Sequence, residues 1–413
     1  MSNTILNPTI VAKEALLHLE NNCVMGNLVF RGYEEEFMQK VNGYKKGASV
    51  DVQAPIYYRV KDGATINTVQ LKEQSLTFTV NVRKHVAWPV TAQEMSLNID
   101  KFSERHIKPA MQALGNYIDQ DLLSMYKQIP NQVGTPGTTP DKWYTVAEAA
   151  AVLSDHGCPP DNRSMVLDTW AQAKLADQLK GLLLPSLVNS AVSKGKFGDL
   201  SGFSMYMSQN VNSHTVGTAG GTTTSLMDGA TAEGATGLVV DEGGGALTLI
   251  FNEGDILTVA DVNGVNPISG LSTARSRQFV VRATTGATGT EDTVSTIPGV
   301  APWNIYSSAA GEDDLPYQTI DTLPADNAAV SCAGTSGLVH KVNLGFHRDC
   351  IGLVMVPLAV PSSVTWSAQE SYKGYSIRVI RDYDVINDQE YVRFDVLYGR
   401  QVINPFLGVR VAG

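Results

Sequence analysis

The chain has 413 residues, of which 43% are apolar and 17% are charged, and its net charge is −10. This length predicts two or three hydrophobic cores. A membrane-spanning helix needs about 20 consecutive apolar residues, and the sequence has no such run, so no membrane span is expected. Tight nucleic-acid binding needs a basic stripe, and without one the chain is a poor candidate for it.

The first predicted element is a short amphipathic helix. Asn7 is a suitable cap and Pro8 fits the first helical position, where its missing N–H costs nothing. The apolar face consists of Val11, Ala15, Leu19 and Cys23. Gly26 is placed to end the helix.

A two-stranded ribbon is predicted next, over residues 49–83. Its strands alternate between apolar and polar residues, with Val50, Val52, Ala54, Ile56, Tyr58 and Val60 before the Lys61-Asp62-Gly63 turn and Leu76, Phe78, Val80 and Val82 after it. Because an isolated two-stranded ribbon is marginally stable in water, we expect it to bind another subunit. The charged residues of its distal half are the candidate contacts: Arg59, Lys61, Lys72 and Glu73.

A long helix is predicted from Pro109 to Gln128, about 30 Å in length. Its apolar stripe follows the helical period and consists of Ile107, Met111, Leu114, Ile118, Leu122 and Met125. Pro109 either kinks this helix or lies in its first turn.

A mixed body of helices and short strands follows, which indicates an α/β or α+β class. Thr145 and Glu148 form a capping box for a helix that ends at Gly157. Asp168 caps a second helix over 170–180, and the intervening strands are predicted at 165–167 and 203–207.

Residues 215–340 differ from the rest in charge and composition. They hold 14 acids against three arginines and no lysine, a net charge of −11, which leaves about +1 for the remainder. Short apolar runs at 247–251, 256–259 and 279–281 lie between Gly-rich turns. We interpret this block as an inserted, small all-β domain.

The chain then returns to the body with a buried strand at 351–356. Two closing strands contain Ile377 and Val379 and residues 392–398, and they flank a turn at Asn387-Asp388.

No catalytic or metal-binding motif is present in the sequence. The four cysteines are scattered without a CxxC pair, which predicts reduced, partly buried thiols. The acidic run at 312–314 is typical of a surface turn, although its oxygens could also bind a divalent cation.

Three stretches resemble a known family. They are VNLGFHRDCIGLVMVPLAVP at 342–361, GDILTVADVNGVNP at 254–267 followed by RQFVV at 277–281, and the ending SIRV at 376–379 with VRFDVLYG at 392–399. Together with the order of elements, they resemble the major coat proteins of tailed bacteriophages. The likeness is to the P-twenty-two (P22)-like branch of the HK-ninety-seven (HK97) capsid fold, whose members carry an insertion domain.

The resemblance implies an α+β tailed-phage capsid fold. The implied parts are an N-terminal arm (1–48), an E-loop (49–92), the spine-helix part of the peripheral (P) domain (93–132), the P and axial (A) domain body (133–214, completed by 341–413) and the all-β insertion domain (215–340).

The resemblance also implies a structural protein with no catalytic residue, metal or cofactor. Members form pentamers and hexamers that close into an icosahedral shell around double-stranded DNA. They assemble in the host cytoplasm with a scaffolding protein and a portal protein, and no membrane is involved.

Three other classes remain open at this point. An encapsulin-like compartment shares the shell fold, a tail-tube or adhesin protein also polymerises, and a hydrolase with an unrecognised site is the enzyme alternative. The long helix and its α/β body disfavour the tail-tube and adhesin classes, which are mostly β.

Overall fold

The structure is a computed structural model. It describes residues 8–33, 37, 40–41, 44–45, 49–60, 63–64, 68, 73–91, 103–179, 198–222, 225–242, 249–285, 292–299, 302–364, 366–384 and 389–412. The helices are α1 (Pro8–Asn22), α2 (Met25–Leu28), α3 (Lys108–Leu123), α4 (Trp143–Asp155) and α5 (Thr169–Leu179). The strands are β1 (Lys40–Val41), β2 (Tyr44–Lys45), β3 (Ser49–Gln53), β4 (Ser75–Thr91), β5 (Gln132–Val133), β6 (Arg163–Leu167), β7 (Asp199–Leu200), β8 (Phe203–Met207), β9 (Ser213–Thr215), β10 (Leu226–Met227), β11 (Gly237–Asp241), β12 (Ile256–Val265), β13 (Ser272–Val281), β14 (Asp292–Ile297), β15 (Val330–Cys332), β16 (Val339–His347), β17 (Ile351–Met355), β18 (Trp366–Tyr372), β19 (Tyr375–Asp384), β20 (Gln389–Val402) and β21 (Gly408–Ala412).

The chain divides into two compact units. The first unit consists of Met1–Val52, Thr77–Leu122 and Ile351–Gln401. The second unit consists of Gln53–Leu76, Leu123–Cys350 and Val402–Gly413.

A sheet in the order β18-β19-β20-β4-β3 forms the frame of the first unit, and β17 also pairs with β20. The predicted closing strands lie within β19 and β20, and the predicted strand at 351–356 is β17. The turn at Asn387-Asp388 lies outside the described residues.

The N-terminal helix has its predicted apolar face but not its predicted end. Val11, Ala15, Leu19 and Cys23 are buried, whereas Asn7 lies outside the described residues. α1 ends at Asn22, and Gly26 lies inside the short helix α2. The reason is Asp119 of α3, whose carboxylate accepts hydrogen bonds from the Val24 and Gly26 amides (2.7 and 3.3 Å) and so supports a second helix start.

The predicted ribbon is confirmed in the pairing of its two strands, because β3 and β4 are neighbours in the sheet, but its first strand is shorter than predicted. β3 stops at Gln53, just before Pro55, which has no N–H to donate to a neighbouring strand. β4 is longer than predicted, and it pairs antiparallel with β20 from Gly399↔Val80 to Gln389↔Thr91. β4 therefore lies between β3 and β20 in a sheet of its own chain.

The long helix is confirmed, with irregular ends. A π-helical turn at Ser103–Ile107 precedes α3, and a 3-10 turn at Ser124–Gln128 follows it. Every residue of the predicted apolar stripe is buried. Pro109 is the second residue of α3, in the first turn, where a proline is tolerated.

The body of the second unit contains a sheet in the order β5-β21-β16-β6-β8-β7, and β9 also pairs with β16. The strands predicted at 165–167 and 203–207 are confirmed in β6 and β8.

The capping box is wrong, because α4 already begins at Trp143. Two other signals are confirmed: Gly157 has φ +71° after the end of α4, and the Trp170 amide donates to Asp168 Oδ2 at 3.3 Å.

Residues 215–340 contain their own sheet, in the order β10-β11-β14-β13-β12-β15. A hydrophobic core from Val216 to Leu338 packs against it. The runs at 256–259 and 279–281 lie in β12 and β13, but Leu249–Phe251 lies outside any strand. There, Phe251 is buried and its amide donates to Thr285 Oγ1 (3.1 Å).

The four cysteines are all free and buried, as their spacing predicted. No helix of the described residues is long and apolar enough to cross a membrane. Within the same residues, no group of three or more His, Cys, Asp or Glu side chains could hold a metal ion.

Candidate intersubunit contact site

The segment after β3, residues 54–60, belongs to no helix or strand. The Ala54 amide donates to the Gln74 carbonyl at 2.8 Å, so the two sides of the segment still meet at its base. Tyr57 packs edge-on against Tyr317 with ring centroids 6.3 Å apart. Tyr58 and Val60 instead point into solvent, with 73% and 98% of their surface exposed.

Arg59 lies against a turn of the 215–340 block. Its Nη1 is 3.4 Å from the Ile268 carbonyl, and a Cβ at Gly270 would collide with the guanidinium. Partial burial lowers the pKa of Arg59 below its ordinary value. Within the described part of the chain, its buried Nη2 has no hydrogen-bond acceptor.

The structure describes two of the four predicted contact residues. Arg59 is half-buried against the turn at 266–271, and Glu73 is exposed. Lys61 and Lys72 lie outside the described residues.

The sequence reasoning missed the turn itself. Asn266 Oδ1 accepts hydrogen bonds from the Ile268 and Ser269 amides (2.8 and 3.1 Å), which fixes a tight Asx-type turn. Ile268 and Leu271 are 65% and 71% exposed. Two apolar residues in a turn after Asn266-Pro267 were the available signal.

Arg59 thus joins two exposed apolar pairs, Tyr58 with Val60 and Ile268 with Leu271. We call these four residues and Arg59 the tip patch. Exposed large apolar side chains on two neighbouring segments are typical of an interaction site.

Polar contacts hold the 215–340 block on the body of the second unit. Gln132 and Gln278 exchange two hydrogen bonds (2.6 and 2.9 Å). Lys127 Nζ lies 2.9 Å from Glu253 Oε2, and the buried Arg410 donates to the carbonyls of Gly254 (2.7 Å) and Ile129 (3.0 Å). We call this set, together with the hydrogen bond from Arg277 Nη1 of the block to His156 Nε2 of the body (2.7 Å), the seam.

A buried cluster lies where the block leaves and rejoins the body. His214 Nε2 is 2.8 Å from Asp255 Oδ1, and its Nδ1 is 3.2 Å from the Tyr126 hydroxyl. His340 is the antiparallel partner of His214, with ring centroids 5.6 Å apart. Burial, with His214 and Arg410 nearby, lowers the pKa of His340 to about 4.

The acids of the block are mostly at its surface. Asp241 and Asp255 are the buried exceptions among the described acids. The charge of −11 is therefore presented largely to solvent rather than neutralised inside the fold.

The comparisons with known proteins point to one family. The family model described as "P22 coat protein - gene protein 5" matches residues 2–413. The chain is 28% identical over 294 residues to a major capsid protein of Acyrthosiphon pisum secondary endosymbiont phage 1, covering 68% of each chain.

Solved structures give weaker likenesses. A chain from Mycobacterium phage Che8 has a TM-score of 0.49 and 12% identity, covering 94% of this chain and 90% of that one. A chain from the capsid of Ralstonia phage GP4 has a TM-score of 0.41 and 9% identity, covering 89% and 83%.

Proposed function

Since this chain belongs to the P22 coat protein family, we propose that it assembles as pentamers and hexamers into an icosahedral shell around packaged double-stranded DNA. Assembly takes place in the host cytoplasm with a scaffolding protein and a portal protein. The observation that carries this proposal is the family match over residues 2–413. The protein is a structural phage capsid protein, so the hydrolase, tail-tube and adhesin alternatives fall away.

The tip patch is the proposed contact with a neighbouring subunit. Its four apolar side chains are exposed, and burying apolar surface stabilises association by about 25 cal/mol per Å². The half-buried Arg59 adds a positive charge to the patch, which would attract a carboxylate of a second copy. Lys61, Lys72 and Glu73 belong to the same stretch of sequence and complete the proposed contact.

Charge reversal tests this contact. Replacing Lys61 and Lys72 together with glutamate should abolish closed shells and leave the monomer folded. The matched control replaces Lys142 and Lys174, both exposed, with glutamate and changes the net charge equally. Negative-stain electron microscopy after co-expression with the scaffolding protein gives the outcome. Normal shells from the Lys61/Lys72 variant, or equal loss in the control, would remove the contact from the proposal.

The acidic block is proposed to face outward. A body near +1 avoids strong binding to DNA phosphates, which must stay mobile for ejection. A surface at −11 on the outside keeps particles apart in solution. Intact shells should therefore be cut by protease within 215–340, and protection of every site there until the shell is opened would refute the orientation.

A further inference from the structure

One contact of the seam joins a histidine of the body to an arginine of the 215–340 block. His156 follows the last residue of α4, and Arg277 lies in β13. Arg277 Nη1 is 2.7 Å from His156 Nε2, and His156 Nδ1 is 2.8 Å from the Val152 carbonyl. A carbonyl oxygen only accepts, so Nδ1 carries the ring proton and Nε2 is the acceptor for Arg277. The geometry therefore requires a neutral imidazole.

The groups around Arg277 leave its guanidinium without a second side-chain acceptor among the described residues. The Phe406 ring stacks on His156 at 6.0 Å and 16°, and the Arg277 guanidinium lies 4.5 Å from the same ring centroid. Arg277 is only 3% exposed. Its Nε and Nη2 have no acceptor among the described residues. Among the described residues, His156 Nε2 is thus the side-chain atom that accepts a hydrogen bond from Arg277.

The charged groups around His156 come from two elements. β13 contributes Arg277 and also Arg275, whose Nε lies 3.8 Å from Asp155 Oδ2. α4 contributes Asp155, which is therefore already engaged with Arg275. The 3-10 turn at Pro405–Leu407 contributes the uncharged Phe406.

We infer that His156 is a positioning residue that seats the 215–340 block on the body, and that this seat loosens in acid. Protonation at Nε2 replaces the acceptor with an N–H that points at a guanidinium. It also places two cations at hydrogen-bond distance in a partly buried site. The seam then loses one of its hydrogen bonds, while the sheet of the 215–340 block and the sheet of the body keep their own.

The direction of the pH effect follows from the difference in the pKa of His156 between the closed and the open contact. Burial, and then the charge of Arg277, lower the pKa of His156 from 6.5 to about 3. The contribution of this contact is complete above pH 6.5 and is lost as the pH falls towards 3. Well below pH 6.5, opening of the seam should become easier by about tenfold per pH unit, which gives about 30-fold between pH 7.5 and 5.0.

Hydrogen exchange of the Gln132 amide measures this opening, because that amide donates across the seam to Gln278 Oε1 (2.6 Å). In the monomeric full chain, its protection factor, corrected for intrinsic exchange, should fall about 30-fold from pH 7.5 to 5.0. In His156→Gln, whose amide oxygen still accepts from Arg277 but does not titrate, the fall should be under threefold. The matched control His340→Gln removes another buried histidine of lowered pKa and should keep the fall.

Three results would overturn the inference. The first is an equal fall of the protection factor in wild type and His156→Gln, and the second is a fall abolished only in His340→Gln. The third is a His156 ring pKa above 6 in an NMR titration of the wild type, which decides the matter even if a variant does not fold. Neither measurement depends on shell formation, so the inference and the proposed function fail separately.

Discussion

Asp395 of β20 lies among three arginines in the first unit. Its Oδ2 accepts from Arg378 Nη2 (2.6 Å) and Nε (3.2 Å), and its Oδ1 accepts from Arg393 Nε (2.9 Å). Arg83 is more distant, with Nη2 3.7 Å from Oδ1. The replacement Asp395→Asn keeps the shape of the side chain and removes its charge.

The loss of stability in Asp395→Asn depends on how far the arginines around Asp395 are exposed to solvent. The side chain of Asp395 is fully buried and that of Arg378 is 8% exposed, whereas that of Arg83 is 49% exposed. Removing one member of a buried pair costs about 3–5 kcal/mol, since the other charge is left uncompensated. An exposed pair contributes only about 0–1 kcal/mol. We therefore expect Asp395→Asn to lower the free energy of unfolding of the first unit by about 3–5 kcal/mol.

Urea titration of the monomer measures this loss. Trp88 stacks on Phe394 at 5.5 Å, next to Asp395, so its fluorescence reports the first unit when it is the only tryptophan left. The control Arg83→Gln should cost about 0–1 kcal/mol. A loss below 1 kcal/mol for Asp395→Asn, or an equal loss for the control, would show that the buried pair is not what stabilises this sheet.

Three further predictions concern buried groups in both units. Burial raises the pKa of Asp119 from 3.8 to about 6, so the free energy of unfolding should fall by about 2 kcal/mol as the pH rises from 4 to 6. Asp119→Asn should flatten this fall in urea titrations across that range, and an unchanged slope would contradict it. Phe279→Ala in the core of 215–340 should cost about 3–5 kcal/mol, while Val360→Ala at an exposed site should be nearly neutral in the same assay. The four buried cysteines, whose pKa values burial raises, should resist a thiol reagent at pH 8 until the chain is unfolded, so a fast reaction of the native chain would count against the fold.

Periodic patterns predicted the elements that depend on local chemistry. The stripe from Ile107 to Met125 is buried along one helical path, because a helix repeats its face every few residues whatever it packs against. The end of α4 just before Gly157 was predicted for a similar reason, since a glycine with positive φ closes a helix locally.

Pairing over long sequence distances could not be predicted in this way. Alternation identified the returning strand of the ribbon, but only the fold shows that β4 pairs with β20, more than 300 residues later. The same limit hid the contact of Arg59 with the Ile268 carbonyl, 209 residues away. A charged residue near a predicted turn is interpreted as solvent-facing when the residue that it contacts lies far away in the sequence.

The register between β9 and β16 has a practical consequence. Thr215 is the antiparallel partner of Val339, so the chain departs from the body and rejoins it at adjacent backbone positions. Such partners lie about 5 Å apart, the span of a hairpin turn. The residues between them could be exchanged for a short turn, or for a foreign domain with neighbouring termini, without redirecting either body strand. Because the entropy of loop closure grows only slowly with length, the size of the graft matters little. Each subunit thus offers one ready-made attachment point for displaying cargo.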